Sequence, residues 1–281
     1  MIYISTGGLK DKSAFEACEL FSAVGLNSFE LSGGIRDPNL LKKLKSRKFN
    51  YQVHNYFPPP KDPFVLNLAS LDSIVSSSSI DHVVEAMRWA VELDNPRYSF
   101  HAGFLLDPKI NELGNKIINR VLFNREHALE RFIDNVNLLA EKARCLGVEL
   151  LIENNVLSKS NKMEFRGDPF LMTSSDECIH VMKNTSSNVN LLVDVAHLKV
   201  SSNSLNFDAV NFLTDCDEWI NAYHLSDNDC TRDSNEEVTT KSWFWPYLKT
   251  NLDYYTLEIY NISALKMLQQ NNLTINKLCE K

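Results

Sequence analysis

The sequence predicts an α/β fold, a single-domain (β/α)8 TIM barrel, on three observations. Eight short runs rich in β-branched and aromatic residues recur along the 281 residues, stretches with helical spacing separate most of them, and ionisable residues close the third to eighth runs. A parallel barrel of this kind usually takes roughly 250 residues and carries its chemistry at the C-terminal strand ends.

The elements follow in order. "MIYIST" is the first run, followed by the helical stretch "AFEACELFSAVGL", where Gly25 can take the left-handed conformation that ends a helix. "NSFELSG" and "FNYQVHN" are the second and third runs, the latter ending at His54. "DHVVEAMRWAVELD" has helical spacing, and the preceding "SSSSIDHV" offers Ser79 as its N-cap. "RYSFHAG" reaches His101, and "ERFIDNVNLLAEKARCLG" closes on Gly147. "GVELLIENN" carries Glu153, with "SDECIHVMKN" as the next helix, and "VNLLVDVAH" carries Asp194, with "FDAVNFLTDCDEWI" after it. "NAYHLSD" and "DYYTLEIYN" complete the set with His224 and Glu258. A buried parallel strand reads as a near-continuous apolar run, so the strand interiors are expected to stay apolar while polar chemistry gathers at their ends.

The alternative, a doubly wound open sheet, needs a glycine-rich G-x-G-x-x-G turn after the first strand, which "STGGLKDKS" does not supply. No composition shift or linker divides the chain, so residues 1–281 are read as one domain. Four longer polar segments follow strands three, four, five and seven: "NYFPPPKDPF", "DPKINELGNK", "SKSNKMEFRGD" and "SDNDCTRDSNEEVTTKSWFWP". They are expected to wall the barrel mouth and select the substrate.

Composition narrows the function classes. At 44% hydrophobic and 23% charged residues, the chain has the profile of a soluble globular protein with a full core. A net charge of −7 disfavours non-specific nucleic-acid binding. "MIYISTGGLKDKS" turns polar too soon for a signal peptide, and no later stretch has the length of a membrane span. The six cysteines are scattered without metal-type spacing, which reads as reduced thiols in a cytoplasmic protein. In that compartment the sequons at Asn184, Asn261 and Asn272 carry no meaning.

Glu153, Asp194, His224 and Glu258 end successive strands. Three buried carboxylates converging would repel one another strongly, and a divalent cation resolves that repulsion. Three oxygens and one imidazole suit Mn2+, Co2+, Mg2+ or Zn2+. The plainer reading gives each group its own helix terminus or loop partner. Residues i and i+3 of a strand face opposite sides, so Asp194 and His197 share a site only if the chain leaves the strand directly after Asp194. His197 would then contact substrate oxygens or hold a second ion; otherwise it caps the following loop at the surface.

His54 and His101 join Glu153 in a nitrogen-richer cluster, either as ligands of a second ion bridged by Glu153 or as donors to sugar hydroxyls. His82, His127 and His180 lie on helical stretches and read as surface or packing residues. Arg36, Arg166 and Arg232 lie in loops where a guanidinium can grip phosphate or carboxylate, with Arg232 assigned to substrate binding. Tyr56, Phe57, Trp243, Phe244 and Trp245 would floor a sugar pocket, unless "SWFWPYL" anchors a helix or a subunit contact.

Taken in order, "VHNYF" with "FVLNLAS", "FHAGF", "LIENN", "VDVAH", "YHLSDND" and "LEIY" resemble the xylose isomerase-like barrel superfamily over nearly the whole chain. That superfamily contains sugar isomerases, ketose 3-epimerases, inosose dehydratases and family-2 apurinic endonucleases. Similarity to its epimerases implies that Glu153, Asp194, His224 and Glu258 hold one divalent ion, which stabilises an enediolate. The two glutamates would then move protons and His197 would steady the substrate. Similarity to its endonucleases implies three zinc ions that also use His54, His101, His197 and a downstream Asp-x-His pair. Here "TRDSNEE" keeps Asp233 but has Asn235 in the histidine's place, and no histidine follows His224.

The expectation is therefore a metal-dependent sugar isomerase or epimerase acting on a small sugar or sugar derivative, with a homo-oligomer as a candidate assembly. A zinc phosphodiesterase of the endonuclease type and a non-catalytic sugar-binding barrel are the alternatives, and a dehydratase shares the same first chemical step.

Overall fold

Each of the eight runs forms a strand: β1 (Ile2–Ser5), β2 (Ser28–Ser32), β3 (Asn50–His54), β4 (Arg97–His101), β5 (Glu149–Glu153), β6 (Val189–Asp194), β7 (Ile220–Leu225) and β8 (Tyr255–Leu257). In the computed structural model, which describes residues 1–112 and 116–280, they pair in sequence order, all parallel, and β8 closes on β1. The (β/α)8 barrel is thus the observed fold.

Between and after the strands run α1 (Ala14–Ser22), α2 (Leu40–Lys45), α3 (Ser73–Glu92), α4 (Arg125–Leu146), α5 (Lys159–Phe165), α6 (Ser175–Asn184), α7 (Val195–Leu205), α8 (Ala209–Asp215) and α9 (Ala264–Cys279). Four of these were not read from the sequence: α2, α5, α7 and α9. The segment "SKSNKMEFRGD", expected to be a polar wall, contains α5. Helix α4 ends as expected on Gly147 at φ 68°, where a residue without Cβ takes the left-handed cap without strain. The expected cap of α3 is corrected. Asp72, not Ser79, starts the helix, its Oδ1 accepting from the N–H groups of Ile74 and Val75 at 2.7 and 3.2 Å. Ser79 lies inside the helix, where its hydroxyl donates to the Val75 carbonyl at 2.8 Å and accepts the Asn67 N–H. Of the expected mouth segment "DPKINELGNK", residues 113–115 lie outside the described residues.

Alternation along each strand sorts two cores. Phe29, Leu31, Val53, Phe100, Ile152 and Val193 pack outward against the helices. The inward set includes Tyr3, Leu151, Leu192, Ala222 and Tyr254, which form their own apolar cluster. Strand interiors are not uniformly apolar, however. Below that cluster Arg97 pairs with Glu149 at 2.7 Å and Asn190 donates to Glu149 at 2.8 Å, while Glu30, Gln52, Ser99 and Thr256 are fully buried. The reason is geometric: inward side chains from different strands meet one another, so a polar residue there finds polar partners across the barrel. No described helix is long and apolar enough to cross a membrane.

Candidate metal centre

The strand ends bring Glu153, Asp194, His224 and Glu258 together, one ligand atom from each lying within 4.8 Å of the others. His224 Nδ1 is 2.9 Å from Glu258 Oε2, 3.3 Å from Glu153 Oε1 and 4.0 Å from Asp194 Oδ2. Both Glu153 oxygens, Asp194 Oδ2 and His224 Nδ1 are buried without a hydrogen-bond partner. Such groups cost several kcal/mol each when left unsatisfied, and their oxygens and imidazole nitrogen are donors of the kind that could hold a divalent cation.

Electrostatics points the same way. Burial, with the like charges of Asp233, Glu153 and Glu258 added, pushes Asp194 up to about 7 against the pull of His197. Burial alone would raise Glu153 too, but the imidazoles of His101, His224 and His54 outweigh it and hold that carboxyl well below the usual range. His224 is raised well above the ordinary imidazole value: burial opposes its charge, but the carboxylates of Glu30, Glu153 and Glu258 prevail.

A second cluster adjoins the first. His101 Nδ1 and His54 Nε2 lie 3.1 and 3.4 Å from Glu153 Oε2, so Glu153 faces one group of ligands with each oxygen. His54 is fully buried and its pKa is driven down to about 3 by loss of solvation, whereas His101 is partly exposed.

His197 is buried on the first turn of α7, not a surface cap of a loop. Its backbone N–H donates to Asp194 Oδ1, its Nδ1 lies 3.0 Å from the Asn154 carbonyl and its Nε2 lies 3.2 Å from Asp233 Oδ2. Burial opposes a charge on this ring, but Asp194, Asp233 and Glu153 prevail and raise its pKa well above 6.5. Asp233 reaches it from the loop after β7, which Asp227 anchors by accepting from Lys199 and Ser242 at 2.6 and 2.7 Å. Asn235, in that same loop, takes a left-handed φ of 47° and accepts the Tyr260 N–H at 3.0 Å. Tyr260 in turn donates its hydroxyl to Glu258 Oε1.

The remaining candidates separate clearly. Arg36, Arg166 and Arg232 are all exposed, and Arg232 immediately precedes Asp233. Phe57 packs edge-on against Trp89, and Phe244 and Trp245 belong to the main core, so these three stabilise loops and do not floor a pocket. Tyr56 and Trp243 are half-buried. His82 is buried in α3, and His127 and His180 are exposed.

Two participants escaped the sequence reading. Glu30, in the middle of β2, accepts from His224 Nε2, Thr256 Oγ1 and the Tyr254 hydroxyl. Tyr260 orients Glu258. A glutamate between Phe29 and Leu31 in "NSFELSG" was the available signal, since a charge in a buried strand needs partners.

The family described as "Xylose isomerase-like TIM barrel" matches residues 12–250. Among solved structures, the TTHB071 protein from Thermus thermophilus, soaked with ZnCl2, is 20% identical with a TM-score of 0.62, covering 98% of each chain. A D-tagatose 3-epimerase-like protein is 17% identical, TM-score 0.70, covering 99% of this chain and 96% of its own. D-psicose 3-epimerase from Clostridium cellulolyticum H10, bound to D-tagatose, is 12% identical, TM-score 0.63, covering 91% and 83%. No curated protein matches the chain.

Proposed function

This chain belongs to the xylose isomerase-like TIM barrel family, and from that premise we propose that it is a divalent-metal-dependent isomerase or epimerase of a small sugar or sugar derivative. The observation that carries the reading is the pair Glu153 and Glu258, which approach the same His224 nitrogen from β5 and from just after β8. Glu153, Asp194, His224 and Glu258 would hold the cation, and a cation there supplies Lewis-acid polarisation of a substrate carbonyl and its neighbouring hydroxyl.

The protein's own groups do the rest. A carboxylate approaching from each side allows one to take a proton from carbon and the other to return one, which inverts or relocates the centre. Tyr260, by holding Oε1 of Glu258, fixes the direction in which its Oε2 points. His197 is held between the Asn154 carbonyl at 3.0 Å and Asp233 at 3.2 Å, so it would steady a substrate oxygen that takes the place of Asp233 at its Nε2. Solved structures of epimerases with this fold support the sugar class.

A zinc phosphodiesterase is the second reading, favoured by the His54, His101 and Glu153 cluster. Asn235 weakens it, because this residue offers a backbone carbonyl to the loop and no imidazole to an ion.

Incubating metal-loaded protein with a panel of ketoses in deuterated water tests the first reading. Deuterium should enter carbon next to the carbonyl, and Glu153→Gln and Glu258→Gln should each stop it. Full exchange in both variants would remove the proposal. Sugar binding without exchange would favour a binding barrel, and nicking of a DNA strand carrying an abasic site would favour the nuclease.

A further inference from the structure

Beneath the ligand set lies a chain of hydrogen bonds in which the position of every proton follows from its ends. Glu30 is paired in register with Gln52, and Ser32 with His54, so on the inner face Glu30 sits one layer below His54. Three donors converge on its Oε2: His224 Nε2 at 3.0 Å, Thr256 Oγ1 at 2.8 Å and the Tyr254 hydroxyl. An oxygen surrounded in this way is an acceptor throughout, as an ionised carboxylate is.

Tyr254 has one hydroxyl hydrogen and gives it to Glu30. Its oxygen therefore accepts from Ser99 Oγ, 2.9 Å away. Ser99 has then used its own hydrogen, so its oxygen accepts from His54 Nδ1 at 2.9 Å. His54 thus carries its proton on Nδ1, leaving a bare Nε2 at 3.4 Å from Glu153 Oε2. On the other side His224 gives its Nε2 proton to Glu30 directly, which leaves Nδ1 for the cluster of Glu153, Asp194 and Glu258. A lone pair facing a carboxylate oxygen is repulsive unless a cation stands between them.

We infer that Glu30 is a positioning residue: directly for His224, and through Tyr254 and Ser99 for His54, it sets which ring nitrogen is bare and aims that nitrogen at Glu153. The inference rests on the metal reading above for its purpose and for a bare Nδ1 on His224, while the proton position on His54 stands without metal. Outer partners of this kind typically change metal affinity 10–100-fold when removed.

Long-range 15N–1H correlation of the histidine rings in metal-free protein at pH 7.5 reads the His54 tautomer. The expected proton is on Nδ1. In Tyr254→Phe, Ser99 loses its acceptor, turns its hydrogen toward Nδ1, and the proton moves to Nε2. Thr256→Val, which removes a donor to Glu30 outside the relay, should leave the His54 tautomer unchanged. Titration with Zn2+ alone should show Glu30→Gln binding 10–100-fold more weakly than the unmodified protein, whose zinc-loaded His224 should keep its proton on Nε2.

A proton on Nε2 of His54 in the unmodified protein, or an unmoved tautomer in Tyr254→Phe, overturns the inference. So does zinc affinity in a folded Glu30→Gln within twofold of the original. If Glu30→Gln does not fold, the Tyr254→Phe spectrum decides. Protein that shows the expected tautomers but takes up no zinc would defeat the metal reading and leave the relay standing.

Discussion

Asp194 Oδ1 accepts the backbone N–H of His197 at 2.7 Å, so the residue that ends β6 also caps α7 while its other oxygen, Oδ2, faces His224. One carboxylate does two jobs with two atoms.

That division predicts different outcomes for two substitutions. Asp194→Asn keeps an oxygen for the helix cap but removes the charge. Metal-free Asp194→Asn should melt at or above the temperature of the metal-free original, because like charges no longer crowd the centre, and metal should no longer raise its Tm. Asp194→Ala should be less stable than Asp194→Asn by about 1 kcal/mol, the usual worth of an N-cap. Equal melting of the two variants would show that the cap contributes nothing.

Protons and cations compete for the same atoms. With Asp194 raised to about 7 by burial and its acidic neighbours, a proton occupies it increasingly as pH falls below 7. Apparent metal affinity should therefore rise with pH through this range, up to about tenfold per unit for each proton displaced. Calorimetry at pH 6.5 in two buffers of different ionisation enthalpy should register proton release, and identical heats in both would contradict it.

His82 gives the fold its own pH sensitivity, away from the mouth. Its ring is buried edge-on to Phe64, its Nε2 has no hydrogen-bond partner, and burial lowers its pKa to about 4. The unfolded chain binds this proton below about 6.5 and the folded chain does not, so stability falls as pH drops from 6.5 toward 4, by up to about 3 kcal/mol. In denaturant melts His82→Leu should flatten that part of the stability curve relative to the original. An unchanged slope would refute the assignment.

Gly103 marks a close approach between "FHAG" and "LNLAS". A Cβ there would stand 2.5 Å from Ala69 Cβ and 3.2 Å from Asn67 Oδ1, both in a segment where Asn67 accepts the Ala69 and Phe104 N–H groups. Ala69 Cβ is fixed to backbone and has no rotamer with which to yield. Gly103→Ala should cost about 1–3 kcal/mol in denaturant unfolding, and a neutral result would mean that the two segments separate freely.

Much of the fold was legible because strand and helix write different periods into the chain. All eight strands stand where runs such as "NSFELSG" and "VNLLVDVAH" placed them. Three of the four missed helices have specific causes. Helices α2 and α5 have only 6 and 7 residues, too few to show a period. Helix α7 begins directly after the last residue of β6, so the run "VNLLVDVAH" merges its first three residues with the strand. Serines are good caps, which makes Ser79 a candidate, but the helix is already capped at Asp72.

By itself, the sequence determined the barrel and the residues carried to its mouth, because strand periodicity and the order of strand ends are local properties of the chain. Which inward residues touch was decided by closure of the sheet. Glu30, Ser99, His224 and Tyr254 lie up to 224 positions apart along the chain, yet share one hydrogen-bonded line across the barrel interior. No spacing rule in a linear sequence encodes a contact across a closed cylinder; the radius and stagger of the assembled strands set it.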